Sequence, residues 1–217
     1  MPALQMIGDR VRETKAFQRN KVPLEVKVLA AMLCFAGLSY RNASKLVGGL
    51  SYVAVHDAFI ALRKALPKPK RKHRRCIAVD ETKTKLAGRQ LILWAARDVD
   101  SKEVIAYRCS FTRSSLDAEI FLKELLQYCE NKPLFLVDGG PWYPDALGAL
   151  ASNIGMNPSR HETFGMRNRI ERWFGILKAK LRRFYNNFPY RSSLDSIGRF
   201  LEAFIAIYNW VLYNGLS

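Results

Sequence analysis

A short basic segment with two prolines divides this chain. Residues 67–75 read Pro-Lys-Pro-Lys-Arg-Lys-His-Arg-Arg, with seven basic side chains among nine residues. Proline cannot continue a helix, and repulsion between so many like charges favours an extended chain. The segment therefore predicts a solvated linker and a domain boundary. We also expect its Arg71 and Lys72 to follow a phosphate backbone if the flanking parts bind nucleic acid.

Basic residues are concentrated on both sides of an acidic middle. The 217-residue chain has 35 Lys and Arg against 19 Asp and Glu, a net charge of +16. Residues 1–75 carry 16 basic and 4 acidic side chains (+12), residues 76–159 carry 9 and 11 (−2), and residues 160–217 carry 10 and 4 (+6). A surplus of this size points to nucleic acid or an anionic membrane surface as the partner.

The apolar content favours a folded protein of a reducing compartment over a membrane protein. Hydrophobic residues make up 49% of the chain, which is ample for a core. The longest apolar run, residues 28–38, is too short to span a bilayer. The four cysteines are scattered and lack the spacing of a zinc site, so they predict unpaired core thiols. These features predict a cytoplasmic location without a membrane partner.

Residues 23–66 have the pattern of a small helical domain, and residues 1–22 are weakly patterned and predict a loose N-terminal arm. The predicted helices are residues 24–36, about 40–47 and 51–66. A short helix, a glycine-bearing turn and a longer helix form a helix-turn-helix, whose second helix lies in the DNA major groove. A three-helix bundle with no DNA-binding role has the same pattern. The candidate DNA contacts are Ser51, Tyr52, His56 and Arg63, although His56 is otherwise an ordinary half-buried ring.

Beyond residue 75 the hydrophobic pattern changes from helical spacing to short apolar runs. Strands are predicted at residues 76–79, 91–96, 104–111 and 134–137, and helices at 116–128, 144–151, within 167–188 and at 194–212. Three strands, a helix, a strand and further helices describe an α/β domain with a mixed sheet over residues 76–217.

Two aspartates stand where strands are predicted to end. Asp80 and Asp138 each follow a buried strand directly, and ligand sites in open α/β sheets gather at strand ends. If the two strands are neighbours, the carboxylates face each other. Either aspartate alone is also a common turn former or helix cap. Glu81 is left out of the site because strand alternation points it to the opposite face.

A third carboxylate stands in the basic helix of residues 167–188. Glu171 is the one acidic residue there, and Lys178 falls almost directly below it because two helical turns take about seven residues. A salt bridge from Glu171 to Arg167 or Lys178 is one interpretation, and metal binding is the other. The apolar stripe that should dock this helix consists of Ile170, Trp173, Phe174, Leu177, Leu181 and Phe184.

Three carboxylates at one site repel each other unless a cation lies between them. Hard divalent cations prefer such oxygen ligands and keep open positions for substrate phosphates. We therefore expect Asp80, Asp138 and Glu171 to hold two Mg²⁺ or Mn²⁺ ions for phosphodiester chemistry. The sequence offers no Ser-His-Asp grouping or nucleophilic cysteine, and this chemistry needs none.

Three motifs resemble the catalytic blocks of DDE transposases: Val-Asp-Glu-Thr at Asp80, Val-Asp-Gly-Gly-Pro-Trp-Tyr at Asp138, and Arg-Asn-Arg-Ile-Glu-Arg-Trp-Phe-Gly-Ile-Leu-Lys at Glu171. The acids are separated by 58 and 33 residues, and Glu171 is followed seven positions later by lysine. The chain is similar, over about residues 23–217, to the short prokaryotic insertion-sequence-six type, especially its archaeal members. The run that begins at Arg113, Arg-Ser-Ser-Leu-Asp-Ala-Glu-Ile-Phe-Leu, also resembles that family.

This resemblance implies a retroviral-integrase-like (RNase H-like) core and metal-dependent strand transfer at the terminal inverted repeats of a mobile element. It also implies at least a homodimer on DNA, in the nucleoid of a prokaryotic cytoplasm. The DNA contacts expected on the basic helix are Lys178, Arg167, Arg172 and Lys180. Two departures bear on activity. Gly139 replaces a basic residue of many relatives, and Trp173-Phe174-Gly175 replaces an Asp-His-Arg run.

The sequence therefore predicts a transposase with a helix-turn-helix domain, a basic linker and an RNase H-like catalytic domain. Two alternatives share these features. A structure-selective nuclease or resolvase would use the same core for hydrolysis without joining. A non-catalytic DNA-binding regulator would keep the fold and bind DNA without a metal.

Overall fold

The structure is a computed structural model that describes residues 2–17, 21–154, 168–181, 187–188 and 191–213. The chain forms two compact units, one of Met1–Lys68 with Ser193–Ser217 and one of Pro69–Ser192. Along the sequence, the units meet between Lys68 and Pro69, inside the basic segment where a boundary is predicted.

The elements of the described residues follow one another in this order: α1 (Pro2–Thr14), α2 (Leu24–Ala36), α3 (Tyr40–Val47), α4 (Tyr52–Ala65), β1 (Cys76–Leu86), β2 (Arg89–Asp98), β3 (Val104–Ser110), α5 (Ser115–Leu126), β4 (Leu134–Leu136), α6 (Tyr143–Ile154), α7 (Asn168–Leu181), β5 (Asn187–Phe188) and α8 (Leu194–Tyr213).

Helix α1 stands where the sequence predicts a loose arm. Ile7 and Val11 lie one helical turn apart on it and are buried, and the helix packs against α2 and α4. Arg12 adds an ion pair to Glu25 at the start of α2. Two apolar side chains are a weak periodic signal, so the docking surface supplied by the other helices decides that this segment is helical.

Helices α3 and α4 are bent by 106° across the break between them. Gly48 and Gly49 occupy the left-handed region of that turn, with φ of +66° and +65°, which glycine adopts without steric cost. The Ser51 hydroxyl caps α4 by accepting a hydrogen bond of 3.1 Å from the Ala54 N–H. Two helices at about 90–120° joined by a short glycine-bearing turn have helix-turn-helix geometry. The buried core beneath them consists of Ala30, Ala43, Leu50 and Val55.

No described helix taken singly has the length and apolar composition needed to cross a bilayer. The bent pair α3 and α4 reaches that length and composition only when both helices are taken together.

Helix α8 belongs to the first unit, whereas the sequence placed it in the C-terminal domain. Phe204 of α8 lies 5.2 Å from Phe35 of α2, and Phe200 stacks on Phe59 of α4 at 5.5 Å, both measured between ring centroids. An ion pair of 3.1 Å joins Arg63 to Glu202. An amphipathic helix at the end of a chain carries no signal of which apolar surface will receive it. Its spacing therefore predicted the helix but not its partner.

The second unit is built on a mixed sheet with strand order β3-β2-β1-β4, in which β5 also pairs with β1. Strand β1 is antiparallel to β2, and β2 is antiparallel to β3. Strands β4 and β5 are parallel to β1. Three antiparallel strands followed by a helix and a parallel strand are the predicted α/β order, and the mixed sheet is confirmed.

Strand β1 is longer than the sequence indicates, and Asp80 lies inside it instead of after it. The polar run after Val79 continues the strand because β2 pairs with it as far as Leu86. The register of β1 with β4 places Ala78 beside Leu136. Asp80 and Asp138 each lie two residues beyond this pair, and their carboxylate oxygens come within 4.8 Å of each other. The prediction that the strands before Asp80 and Asp138 are neighbours is therefore correct.

Helices α5 and α6 cover the sheet face that carries Ile77 and Val79. These residues share a buried cluster with Trp94 of β2 and Phe121 of α5. Helix α7 packs against β1 and β2. Its predicted stripe is buried at Ile170, Trp173, Phe174 and Leu177; the side chains of Leu181 and Phe184 lie outside the described residues.

The basic segment is anchored on the second unit at Lys72 and Arg74, whereas most of its other side chains are exposed, as its composition predicts. The Arg74 side chain is fully buried and pairs with Asp98 at 2.7 Å and Glu103 at 3.0 Å. Lys72 exchanges backbone hydrogen bonds with the chain around Cys129. Repulsion among the cations is reduced because two carboxylates, 24 and 29 residues further along the chain, pair with Arg74.

Candidate active site

Asp80 and Asp138 are brought together from adjacent strands. Asp80 is half-buried, and its Oδ1 accepts a hydrogen bond of 2.8 Å from the Glu81 N–H. Asp138 follows β4 and is also half-buried, and its Oδ1 accepts from the Gly140 N–H at 2.9 Å. Asp138 lies just after a strand, as predicted. Asp80 lies inside β1, and the pairing of β1 with β4 brings it near Asp138.

The residue after Gly139 must be a glycine. A Cβ atom at Gly140 would lie 2.4 Å from two ring carbons of Trp142 and 2.8 Å from Oδ1 of Asp138. Carbon atoms in contact are normally separated by about 3.5–4.0 Å. The close approach of the Gly140 backbone to Trp142 therefore fixes the course of the loop that presents Asp138.

Glu81 joins the two aspartates in one group of carboxylates. One oxygen from each of Asp80, Glu81 and Asp138 lies within 4.8 Å of the other two. Such a set of oxygen donors suits a hard divalent cation such as Mg²⁺ or Mn²⁺. The donor chemistry thus fits the predicted metal, although the sequence assigned Glu81 no place in the site.

Two side chains donate hydrogen bonds to the carboxylate of Glu81. Its Oε1 accepts from Nε of Arg113 at 2.9 Å and from Nη2 of the same guanidinium. Its Oε2 accepts from the Tyr143 hydroxyl at 2.5 Å. Strand alternation does place Glu81 on the face of Val79, toward α5 and α6, but its buried carboxylate reaches the cluster from that side. Alternation predicts the direction of a side chain and does not predict how far its end reaches.

Tyr143 contacts the candidate site, and the sequence did not identify it. It lies at the start of α6, with an edge-on ring contact to Trp94 at a centroid distance of 6.1 Å. Burial raises the pKa of its hydroxyl well above the ordinary value, and the negative charges of Glu81, Asp80 and Asp138 raise it further. The hydroxyl is therefore a hydrogen-bond donor throughout the physiological range.

Glu171 lies in the first turn of α7 and is exposed. Among the described side chains it is not a member of the Asp80, Glu81 and Asp138 group. Its helix nevertheless packs against β1, the strand that carries Asp80. Lys178 and Arg172 on the same helix are exposed. Arg167 and the side chain of Lys180 lie outside the described residues. The assignment of Glu171 as the third acid stays a prediction.

The predicted DNA contacts of the first unit divide into exposed and engaged residues. Tyr52 is 50% exposed at the start of α4, with the Arg41 guanidinium 5.3 Å from its ring centroid. His56 is exposed, and its Nδ1 lies 3.0 Å from Oδ1 of Asp57. Ser51 caps α4, as described above. Arg63 forms an ion pair of 3.1 Å with Glu202 of α8, and its assignment as a DNA contact stays a prediction.

The two candidates in the basic segment differ in what holds them. Arg71 is exposed, and its Nε donates to the backbone oxygen of Cys129 at 3.0 Å. Lys72 is half-buried, and its ammonium group lies 3.3 Å from Oε2 of Glu103. Both cations are therefore fixed in position on the second unit.

Comparisons with known proteins agree with this architecture. A family model described as a DDE domain matches residues 74–210. An uncharacterised protein of Methanocaldococcus jannaschii is 37% identical over 211 residues, which are 96% of this chain and 96% of that protein. An uncharacterised protein of Aquifex aeolicus is 37% identical over 75 residues, which are 35% of this chain and 58% of that protein.

Among solved structures, one chain of the simian T-cell lymphotropic virus intasome in complex with the PP2A regulatory subunit B56γ is similar in fold. The TM-score is 0.50 at 16% identity, over 84% of this chain and 67% of that chain. The predicted fold class, an integrase-like (RNase H-like) mixed sheet flanked by helices and preceded by an all-α region, is confirmed.

Proposed function

Because the chain belongs to the DDE transposase family and has an integrase-like core, we propose that it cleaves DNA at the terminal inverted repeats of an insertion sequence and joins the ends to target DNA. The family supports an enzyme of the polynucleotidyl transferase or nuclease kind. The observation that carries the proposal is the pair Asp80, on β1, and Asp138, just after the neighbouring strand β4, whose carboxylate oxygens lie within 4.8 Å of each other and suit a divalent metal ion.

Asp80 and Asp138 would hold the metal ions, and Glu171 would complete the ligand set from α7. Two divalent ions bound there would supply activation of the attacking oxygen and stabilisation of the leaving oxygen. Donor chemistry supports Mg²⁺ or Mn²⁺ over a soft metal. The backbone N–H groups of Glu81 and Gly140 orient the two aspartates, because each donates to one carboxylate oxygen.

The reaction in this proposal has two balanced steps. Water first attacks a phosphodiester at the end of the element, and the break leaves a 3′-hydroxyl and a 5′-phosphate. The freed 3′-hydroxyl then attacks a phosphodiester of the target, so that one bond forms as one breaks and a target 3′-hydroxyl leaves. No high-energy co-substrate is needed, since the second step exchanges one phosphodiester for another.

DNA would be held by both units. The helix-turn-helix geometry of α3 and α4 supports binding in the major groove by the start of α4, with Tyr52 and His56 as contacts and Ser51 as the cap that orders it. Lys178 and Arg172, with Arg167 and Lys180, would hold phosphates beside Glu171. Arg71 and Lys72 of the second unit would contact the phosphate backbone. Because two DNA ends must be joined together, we expect a homodimer on DNA, in the nucleoid of a prokaryotic cytoplasm.

A cleavage and joining assay tests the proposal. The substrate is a labelled duplex that carries the inverted repeat flanking the reading frame, with plasmid DNA as target and Mg²⁺ or Mn²⁺ as the added metal. Asp138→Asn and Glu171→Gln should abolish cleavage and joining. The matched substitutions Asp195→Asn and Glu130→Gln, on exposed side chains outside the site, should leave both unchanged.

The outcomes separate the alternatives. Cleavage without joined product would favour a nuclease or resolvase. Repeat binding that needs no divalent metal and survives substitution of all three acids, with no cleavage, would favour a regulator. Cleavage by the Asp138→Asn variant at the wild-type rate would overturn the proposed site.

A further inference from the structure

The group of Asp80, Glu81 and Asp138 contains one carboxylate that is engaged on both oxygens. Glu81 has a side-chain exposure of 1%, and Arg113 and Tyr143 occupy Oε1 and Oε2. A buried carboxylate is costly unless it is paired and hydrogen-bonded. Three hydrogen bonds take three of the about four lone-pair positions of this carboxylate, which leaves little capacity for a metal ion, so the observed contacts favour another role for Glu81.

Arg113 is held between Glu81 and an aromatic ring. Its guanidinium carbon lies 3.6 Å from the ring centroid of Trp142, while two of its nitrogens donate to Oε1 of Glu81. A planar guanidinium can stack and donate at the same time, which the ammonium group of lysine cannot do. Arg113 therefore joins β1, the entry to α5 and the loop before α6.

The loop that Arg113 contacts through Trp142 is the loop that presents Asp138. Trp142 lies against Gly140, and the Gly140 N–H orients Asp138. The Tyr143 N–H donates to the Gly140 oxygen at 3.1 Å, while its hydroxyl donates to Glu81. Both aromatic residues that follow the second acid are thus tied to the residue that follows the first acid.

We propose that Glu81, Arg113 and Tyr143 form a positioning clamp that holds the Asp138 loop beside Asp80, and that Glu81 is not itself a metal ligand. The clamp rests on the proposed function, because it positions the metal-binding aspartates of that site. Its energetic role is to fix the spacing of Asp80 and Asp138 before metal arrives. Partners that orient metal ligands typically contribute about 10–100-fold to metal affinity or activity.

Mn²⁺ binding to the full-length protein without DNA tests the clamp. Free Mn²⁺ is measured by electron paramagnetic resonance during titration. Arg113→Lys keeps the positive charge and removes the stacked, two-donor geometry, so Mn²⁺ affinity should fall about tenfold or more. Tyr143→Phe removes one donor and should shift affinity in the same direction. Arg89→Lys is the matched control, because Arg89 lies over the Phe111 ring at 4.6 Å away from the acids.

A rise in Mn²⁺ affinity, instead of a fall, would identify Glu81 as a metal ligand that Arg113 restrains. In that case Arg113→Lys would free the carboxylate and strengthen Mn²⁺ binding, and Glu81→Gln would weaken binding as severely as Asp80→Asn. For the clamp, Glu81→Gln combined with Arg113→Lys should be no worse than the stronger single variant, because both break one unit. Thermal unfolding midpoints of the variants near the wild-type value exclude general misfolding. If added Mn²⁺ restores cleavage in Arg113→Lys, the defect of that variant lies in metal binding.

The clamp and the proposed function can fail separately. Wild-type protein that cleaves the repeat, with Mn²⁺ affinity unchanged in Arg113→Lys and Tyr143→Phe, overturns the clamp alone. Wild-type protein that binds Mn²⁺ and loses affinity in these variants, but cleaves no repeat DNA, supports the clamp and overturns the transposase proposal. Wild-type protein that binds no Mn²⁺ overturns the clamp whatever the cleavage assay shows.

Discussion

Replacing Gly140 by alanine should damage metal binding through a single methyl group. The new Cβ would stand 2.4 Å from two ring carbons of Trp142. To reach an ordinary carbon contact of about 3.5 Å, the ring must withdraw by about 1.1 Å. That withdrawal is resisted, because the ring is also in contact with the Arg113 guanidinium at 3.6 Å.

The cost of this substitution is steric and not conformational. Gly140 is not among the glycines with positive φ, so alanine can adopt its backbone angles. Overpacking of this kind typically costs about 1–3 kcal/mol. The same Cβ would lie 2.8 Å from Oδ1 of Asp138, so the carboxylate proposed to bind metal must also move. We expect Mn²⁺ affinity to fall at least tenfold, as for lost ligand orientation.

Gly148→Ala is the matched control within the same part of the chain. A Cβ at Gly148 meets nothing within 4 Å, and the residue lies inside α6. Alanine is favoured over glycine in a helix interior by about 1 kcal/mol. The control should therefore raise the urea midpoint and leave Mn²⁺ affinity unchanged, whereas Gly140→Ala should lower both. Wild-type Mn²⁺ affinity in Gly140→Ala would refute the argument that the tight loop sets the position of Asp138.

Three further predictions concern other parts of the molecule. Arg74→Met leaves Asp98 and Glu103 buried without their cation and should lower the free energy of unfolding by about 3–5 kcal/mol in urea titrations; a change no larger than that of the exposed Arg75→Met would contradict this. Burial raises the pKa of Asp98, but hydrogen bonds from the Ser101 N–H and Arg74 outweigh it, so the net pKa is lowered. Its contribution to stability is therefore present above about pH 4 and is lost as pH falls through the folded-state pKa; Asp98→Asn should flatten the acid limb of urea midpoint against pH, and an unchanged slope would contradict this. Tyr52→Ala should weaken repeat binding about tenfold in a gel-shift titration without changing the urea midpoint, because the ring is half exposed; unchanged affinity would remove Tyr52 from the DNA interface.

Local signals were sufficient for the parts of the fold that depend on neighbouring residues. Helices α3 and α4 follow from apolar spacing, paired glycines and the Ser51 cap, all within a few residues of one another. The mixed sheet follows from the order of apolar runs. Asp138 was identified because β4 is a short, purely apolar strand with an abrupt polar end.

The remaining features depend on partners far away in sequence. The polar run after Asp80 gave no sign that β1 continues, because pairing with β2 stabilises it. Burial of Glu81 depends on Arg113 and Tyr143, which lie 32 and 62 residues further along the chain. The composition around Arg74 indicated solvent exposure. The ion pairs with Asp98 and Glu103 offset the cost of burying its charge. A single sequence shows charges and periodicity but does not show which distant side chain neutralises a given charge.

The docking of α8 has a consequence for how the protein is made. Its phenylalanines complete the packing of α2 and α4, yet all of Pro69–Ser192 is translated before it. At about 5–20 residues per second, α4 emerges well before the helix that covers it. The first unit must therefore remain partly uncovered until α8 has been translated. A chain whose synthesis stops before α8 would have its sheet but would lack a finished helical unit.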